Sequence, residues 1–162
     1  MRITVARNSH VPGIVEVWKE LMDFHKDIDS RWSRSQNAHI DWEEFLREQM
    51  ESEDALVLVA LDKGRVVAYS ISQISKYPPI SRLDTFGHIS DMAVTSEYRR
   101  QGIGERMLSR MYDWFESRNI DRIELSVAAR NQVGYSFWKK QGFQDYMHRL
   151  YLNRTRPGKT PE

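Results

Sequence analysis

The first third of the chain alternates polar and apolar positions in a way that predicts one strand and then two helices. Residues 2–6 alternate with a period of two, which is typical of a strand with one buried face. An apolar stripe with helical spacing follows, and we expect Ser9 to be its N-cap with Pro12 in the first turn. A second helix is predicted to open at Asp41, because Glu44 follows three residues later as in a capping box.

The middle of the chain predicts three strands in succession. Residues 55–61 are continuously apolar, as expected of a strand that is buried on both faces. Residues 62–64, Asp-Lys-Gly, supply turn chemistry, and alternation resumes over residues 67–71, so these two strands should form a hairpin. After a loop that contains Pro78 and Pro79, residues 87–94 predict a further strand.

The last third predicts a helix, a strand, a helix and a closing strand. The apolar stripe of the first of these helices is expected to lie in the core, and it consists of Ile103, Met107, Met111, Trp114 and Phe115. Residues 123–127 alternate as a strand, and residues 132–140 form a helix that Gly142 ends. Residues 143–152 are predicted to be the last strand. A hairpin followed by a strand–helix–strand crossover indicates a mixed α/β fold with right-handed, parallel pairing.

Length and composition indicate one soluble globular domain. The chain has 162 residues, which at roughly 100–200 residues per domain accommodates a single one. Apolar residues make up 40% of the chain and charged residues 29%, in the range of ordinary folded proteins. We expect the domain to occupy residues 1–152, and residues 153–162 to form a flexible tail.

Net charge, cysteine content and the lack of targeting signals argue against several classes of function. A formal net charge of +1 argues against an obligate binder of nucleic acid or membrane surfaces, so we expect neither as a partner. The absence of cysteine excludes disulfides, thiolate nucleophiles and cysteine-ligated metals. Five histidines without a His-Glu-x-x-His arrangement predict no metal site. The N-terminal residues resemble no signal peptide, and no apolar stretch is long enough to span a membrane, so we expect a cytoplasmic protein.

A run of charge and glycine separates the strand that ends at Val94 from the helix that follows. The first turn of a helix has unpaired N–H groups and a partial positive charge, and glycines let a phosphate approach the backbone. Two arginines add positive potential, so we expect a pyrophosphate to bind here. The run consists of Arg99, Arg100, Gln101, Gly102, Ile103 and Gly104.

Two common phosphate-binding motifs do not fit this run. A P-loop requires Lys followed by Ser or Thr after its last glycine, where this chain has Glu105 and Arg106. A dinucleotide-binding fingerprint requires Gly or Ala at the position that Met107 occupies.

A third motif fits. Arg-x-x-Gly-x-Gly at residues 99–104, directly after a strand, resembles the acyl-CoA-binding motif of the GNAT superfamily of N-acetyltransferases. Independently, residues 125–127, then Asn131, then residues 137–143 ending in Gly-Phe resemble the closing strand, asparagine and helix of that family. With the matching order of elements, the resemblance covers roughly residues 1–152.

The resemblance implies a mixed, mostly antiparallel sheet flanked by helices, in which a central pair of parallel strands, residues 88–95 and 122–128, splays apart to admit the pantetheine arm of acetyl-CoA. It also implies acetyl transfer to a primary amine of a small molecule or peptide by direct attack in a ternary complex, with a homodimer as a possible assembly. An amide near Val94 would polarise the thioester. The cofactor-binding residues that it implies are Met92, Val94, Arg99, Arg100, Gln101, Gly102, Ile103, Gly104, Asn131 and Trp138.

The catalytic candidates each have a structural alternative. Asp91 is the candidate general base, since the amine arrives mostly protonated, and its alternative is pairing with a nearby arginine or with solvent. His88 is a second candidate base or a structural histidine. Trp138 stands where the family often has a tyrosine acid, so Tyr135, one turn earlier, is the candidate acid or merely packs. Asn131 binds the cofactor, caps its helix, or does both.

Two other functions remain open at this point, as does the acceptor site. A non-catalytic acyl-CoA-binding or regulatory module is supported by Trp138 in place of the expected tyrosine. A nucleic-acid binder would use four arginines, namely Arg99, Arg100, Arg106 and Arg110. Acidic and aromatic residues over 24–32, with residues 77–80, would border the acceptor side and suit a cationic amine, or else form solvated loops.

Overall fold

The structure, a computed structural model, describes residues 1–154. The predicted tail therefore lies outside the described residues except for Asn153 and Arg154. The strands are β1 (Arg2–Val5), β2 (Ala55–Asp62), β3 (Arg65–Lys76), β4 (Thr85–Val94) and β5 (Ile123–Glu124). The helices are α1 (Val11–Ile28), α2 (Ala38–Glu51), α3 (Ile103–Ser117) and α4 (Gln132–Lys140), with short 3-10 turns at Asn8–His10, Ser30–Trp32 and Ser96–Tyr98.

The five strands form one sheet in chain order, β1-β2-β3-β4-β5. The first four strands pair antiparallel with their neighbours, and β4 pairs parallel with β5 after the α3 crossover. The mixed, mostly antiparallel fold with one parallel pair is thus confirmed. The predicted hairpin is also present, because Lys63 (φ 48°) and Gly64 (φ 86°) adopt the positive φ values of the two-residue turn that matches strand twist.

Helices cover both faces of the sheet and divide the core in two. On one face α1 and α2 pack against Val57, Val59, Tyr69, Ile71 and Ala93. Trp18 of α1 stacks on Trp42 of α2, with ring centroids 4.8 Å apart. On the other face α3 packs against Leu58, Ala60, Ala68 and Ile89. Met107, Met111 and Phe115 are buried there, which confirms the expectation that the α3 stripe is core.

The C-terminal end of the sheet differs from the sequence prediction. Residues 143–152 form no strand, and β5 covers only residues 123–124 instead of 122–128, so within residues 1–154 the parallel pair lies at the edge of the sheet rather than at its centre. The terminal segment instead stacks on arginines: the Arg122 guanidinium lies 4.4 Å from the Tyr146 ring, and that of Arg31 lies 4.0 Å from the Tyr151 ring. The order of elements predicts a closing strand here, but it does not show which neighbouring strand would pair with it.

Several element boundaries also differ. The first helix begins at Val11, and Ser9 lies in the preceding 3-10 turn, so His10 occupies the N-cap position. The second helix begins at Ala38, which places Asp41 in its first turn rather than at its cap. Acidic residues are favoured both at the cap and in the first turn of a helix, so the sequence signal is the same for both positions. The bounds of α4 are as predicted, with Gly142 (φ 91°) beyond its end.

Residues 1–154 contain neither a membrane-spanning helix nor a cluster of metal-ligating side chains. Among residues 1–154, no helix combines the length and apolar character that crossing a membrane requires. Nor do three or more His, Asp or Glu side chains converge there in an arrangement that would hold a metal ion.

The close approach of β4 to α3 generates a stability prediction. A Cβ atom on Gly87 would lie 2.5 Å from Cε1 of the buried Phe115. Gly87→Ala should therefore lower the free energy of unfolding by about 1–3 kcal/mol, the usual cost of overpacking a core. Urea denaturation measures this, with Thr85→Ala on the same strand as the control. Equal midpoints for Gly87→Ala and the wild type would contradict the prediction.

Candidate active site

The parallel strands separate after two paired residues. Gly87 is paired with Ile123 and His88 with Glu124, and the ladder then stops, although β4 continues to Val94. Within residues 1–154, the edge of β4 that faces away from β3 therefore has no strand partner beyond His88. This is the splay that the family resemblance implies.

The register of β4 on β3 shows which peptide groups face this gap. The Thr95 N–H donates to the Val67 carbonyl over 2.9 Å. Because the peptide groups of an antiparallel strand alternate in direction, the N–H and C=O groups of Val94 and Met92 point away from β3 and into the gap. The two predicted backbone contacts therefore lie where a ligand arm between β4 and β5 would meet them.

A β-bulge lies just before these residues. Asp91 is opposite Ile71 and Ile89 is opposite Ser72, so Ser90 is an extra residue in β4. A bulge redirects the side chains that follow it along the strand. As a result Asp91 faces the α1 and α2 side of the sheet, beside Tyr69, while Met92 faces α3.

The turn after β4 leads directly into the N-terminus of α3. Arg100 (φ 63°) and Gly102 (φ 75°) are both left-handed, and α3 begins at Ile103. The Arg106 N–H is the first in the helix to bond four residues back, to the Gly102 carbonyl. The described residues supply no acceptor for the N–H groups of residues 103–105, which is the arrangement that binds a diphosphate.

Gly104 brings this helix terminus against the gap. A Cβ atom on Gly104 would lie 3.0 Å from the Met92 side chain and 3.2 Å from the Phe137 ring of α4. The end of β4, the first turn of α3 and α4 thus converge at one place, and only glycine fits there without displacing a neighbour. The unpaired amides and this close approach fit the diphosphate and pantetheine of a coenzyme A.

The polar side chains of the motif are arranged differently from the expectation. Arg99 turns inward, and its Nε donates to the Val94 carbonyl over 3.0 Å. Gln101 donates to the Glu97 carbonyl over 3.1 Å. Arg100 is exposed, so it presents the positive charge of this turn to solvent.

Asp91 is a half-buried carboxylate at the edge of the gap. The Tyr69 hydroxyl, 3.4 Å away, is the partner that the described residues give it, so the alternative of an arginine ion pair does not hold there. Burial raises the pKa of Asp91 from 3.8 to about 7, and the hydrogen bond from Tyr69 only partly opposes this. The Tyr69 ring lies edge-on to Trp42, at 5.6 Å. Asp91 can therefore exchange a proton near neutral pH.

His88 and Glu124 lie opposite one another where the ladder ends. Burial lowers the pKa of His88, and the Glu124 carboxylate opposes the shift. Glu124 accepts a hydrogen bond from the Tyr77 hydroxyl at 2.5 Å and from Arg122 Nε at 2.6 Å. These two bonds lower the pKa of Glu124 overall, although burial acts to raise it. Sequence reasoning missed Glu124, although it is the polar residue between Ile123 and Leu125.

The α4 candidates make contacts within the protein. The Asn131 carboxamide accepts the Gly134 N–H at 2.8 Å, which confirms the helix-cap alternative. The Tyr135 hydroxyl donates to Asp145 over 3.1 Å. Trp138 packs edge-on against Phe137 and Phe143, at 4.9 and 5.2 Å. Their predicted roles toward a cofactor or leaving group stay predictions.

The predicted acceptor border is made partly of local contacts. Asp29 binds Arg31 at 2.6 Å, and these hydrogen bonds lower the pKa of Asp29 to about 2. The Tyr77 ring packs against the Phe86 ring in a tilted arrangement, with centroids 4.5 Å apart, and its hydroxyl contacts Glu124. Ile80 is almost fully exposed. Tyr77 belongs to this predicted border, and its contacts place it against the β4–β5 pair.

Comparison with known proteins gives consistent matches. The model of the Acetyltransferase (GNAT) family matches residues 16–143. N-alpha-acetyltransferase 30 of Schizosaccharomyces pombe is 32% identical over 100 residues, or 60% of this chain and 64% of that protein. This chain thus spans less than two thirds of that relative. The ribosomal protein bS18-alanine N-acetyltransferase of Escherichia coli K12 is 26% identical over 120 residues, or 74% of this chain and 76% of that protein. A crystal structure of a predicted acetyltransferase from Clostridium acetobutylicum with acetyl-CoA superposes with a TM-score of 0.77, at 21% identity, over 94% of this chain and 95% of that one.

The raised pKa of Asp91 leads to a prediction about how stability depends on pH. Its pKa is about 7 in the folded state and 3.8 ordinarily, so the folded state binds the proton more tightly. The stability that this contributes is fully present below the ordinary pKa and is lost as the pH rises through the folded pKa. Between about pH 5 and pH 8, the wild type should therefore lose stability relative to Asp91→Asn.

Urea denaturation across this pH range measures the difference. Asp113→Asn, on an exposed position of α3, is the matched control and should follow the wild type. Parallel stability curves for the wild type and Asp91→Asn would contradict a raised pKa at Asp91.

Proposed function

The chain belongs to the acetyltransferase (GNAT) family of N-acetyltransferases, whose donor is acetyl-CoA, and on that premise we propose that it transfers the acetyl group to a primary amine by direct attack in a ternary complex. The observation that carries the proposal is the position of Asp91, a half-buried carboxylate with a pKa of about 7 beside the unpaired edge of β4. Bound acetyl-CoA supplies a thioester as the electrophile.

The backbone of this chain supplies most of the groups that bind acetyl-CoA, the acetyl donor. The free N–H groups of residues 103–105 bind the diphosphate, and Arg100 adds charge from the solvent side. The outward peptide groups of Met92 and the Val94 N–H hold the arm, as a neighbouring strand would, while the Val94 carbonyl is bound by Arg99. With acetyl-CoA bound, the Val94 N–H would be the backbone donor available to polarise its thioester carbonyl.

Asp91 acts as the general base. An amine acceptor arrives mostly protonated, and a base is most effective when its pKa lies near the operating pH. The carboxylate attracts the ammonium and takes its proton, which leaves the neutral amine to attack. His88 is the second base candidate, and its lowered pKa keeps it neutral and able to accept a proton.

The CoA thiolate can leave without a strong proton donor. A thiol with a pKa near ~8.5 leaves at neutral pH without full protonation. Trp138 cannot supply a proton, and the Tyr135 hydroxyl is engaged by Asp145. Tyr135 as the acid therefore requires that this hydrogen bond opens, and a mechanism without an acid is the simpler proposal.

Relatives suggest which acceptor to test first. The yeast relative is named an N-alpha-acetyltransferase, and the E. coli relative is named for an alanine of a ribosomal protein. These names support a peptide α-amine, with small-molecule amines as the second class. The alternative function, a non-catalytic acyl-CoA-binding module, is favoured by Trp138 at the usual tyrosine position.

The proposal predicts that the purified protein releases CoA from acetyl-CoA when given peptides with free α-amines or small amines. Asp91→Asn should lower kcat by about 100-fold or more, the usual contribution of a general base. Its affinity for acetyl-CoA should stay unchanged, because Asp91 faces away from the cofactor side of β4.

A thiol-release assay and calorimetry measure these two quantities, with Asp113→Asn as the control. Binding of acetyl-CoA without turnover on the whole panel would favour the non-catalytic module. Wild-type turnover by Asp91→Asn would exclude Asp91 as the base.

A further inference from the structure

Arg99 is the residue of the glycine-rich motif whose side chain turns into the protein. Its Nε donates to the Val94 carbonyl over 3.0 Å. One terminal nitrogen lies 3.7 Å from the Glu20 carboxylate, and the guanidinium carbon lies 5.7 Å from the Phe24 ring of α1. All three contacts are with the end of β4 or with α1.

The Val94 carbonyl is one of the β4 groups that have no strand partner where the sheet opens. It points into the gap, where an N–H of the next strand would normally bond to it. Since β5 has separated, Arg99 supplies the missing donor. The peptide between Val94 and Thr95 is thereby held at both ends, because the Thr95 N–H bonds to the Val67 carbonyl on the opposite side.

Glu20 of α1 is the second side chain that holds the end of β4. Its Oε1 accepts the N–H of Ser96 over 2.7 Å, and the same oxygen faces Arg99. Glu20 thus connects α1 to the turn that leaves β4. Asp91 faces the same helical layer, so one helix contacts both the base side and the cofactor turn.

The charge of Arg99 is directed away from the phosphate end of the site. It faces Glu20, an opposite charge, and is therefore partly neutralised. At the helix terminus, Arg100 and the free amides of residues 103–105 provide the positive potential. A diphosphate does not need Arg99.

We propose that Arg99 and Glu20 are positioning residues that fix the backbone at Val94, through the peptide between Val94 and Thr95, for the thioester end of acetyl-CoA. We also propose that Arg99 is not a phosphate ligand. The proposal rests on the proposed function above. It predicts that the two parts of the cofactor respond differently to loss of Arg99. The thioester arm depends on the Val94 peptide, while the nucleotide depends on the α3 amides.

Calorimetry with two ligands separates these parts. Adenosine diphosphate carries the nucleotide diphosphate without the arm, and acetyl-CoA carries both. For Arg99→Ala we expect acetyl-CoA affinity to fall about tenfold, as for loss of a hydrogen bond to a charged donor, and adenosine diphosphate affinity to stay within about twofold. Glu20→Gln keeps an oxygen for Ser96 but removes the charge, and should give a smaller loss with the same pattern.

The combined variant tests whether the two side chains act as one unit. Adding Glu20→Gln to Arg99→Ala should cost little more than Arg99→Ala alone. Matched controls are Glu16→Gln, one turn earlier on α1 and 72% exposed, and Arg65→Ala, whose guanidinium pairs with Glu97 at 3.1 Å. Both controls should bind the two ligands as the wild type does.

The possible results distinguish a failure of this proposal from a failure of the proposed function. Equal losses for the two ligands in Arg99→Ala would make Arg99 a phosphate ligand and overturn the proposal. Unchanged acetyl-CoA affinity in both Arg99→Ala and Glu20→Gln would also overturn it. A wild type that binds neither ligand would overturn the cofactor site itself, whatever the variants do. If Arg99→Ala does not fold, Glu20→Gln carries the comparison.

Discussion

The structure depends on the early end of the β4–β5 ladder. After Gly87 and His88 the two parallel strands no longer pair, so the remaining peptide groups on one edge of β4 need other partners. Arg99 satisfies the Val94 carbonyl, and the edge beyond His88 stays open to a ligand. In an ordinary sheet such an edge is a liability. Here it lies beside a helix N-terminus with free amides, so one ligand with an amide-rich arm and a diphosphate can satisfy both.

The bulge at Ser90 gives β4 two chemically different faces at this point. Met92 faces α3 and Gly104, on the side of the cofactor turn. Asp91 faces the aromatic column of Tyr69, Trp42 and Trp18, which removes water from the carboxylate and raises its pKa. Donor and acceptor would thus approach the gap from opposite sides of the sheet, and the proton acceptor lies on the acceptor side. In the proposed direct transfer the amine itself is the nucleophile, so the protein would supply none.

Patterns with a local cause were predictable from the sequence, and those that depend on distant partners were not. The hairpin turn at residues 63–64, the buried stripe of α3 and the bounds of α4 follow from backbone preference and periodicity. The glycine-rich turn was placed correctly for the same reason. The bulge, the short β5 and the contacts of Glu20 depend on residues far apart in sequence. The residues of 143–152 likewise do not reveal whether a neighbouring strand will pair with them.

Hydrogen exchange at single backbone amides, with and without acetyl-CoA, is the measurement that tests the central claim most directly. If the open edge of β4 and the start of α3 hold the cofactor, exchange should slow at the amides of Val94 and residues 103–105 and stay unchanged in β1 and β2. Protection confined to another surface, such as the open cavity of about 420 Å³ lined by Arg2, Arg106 and Arg110, would contradict the account.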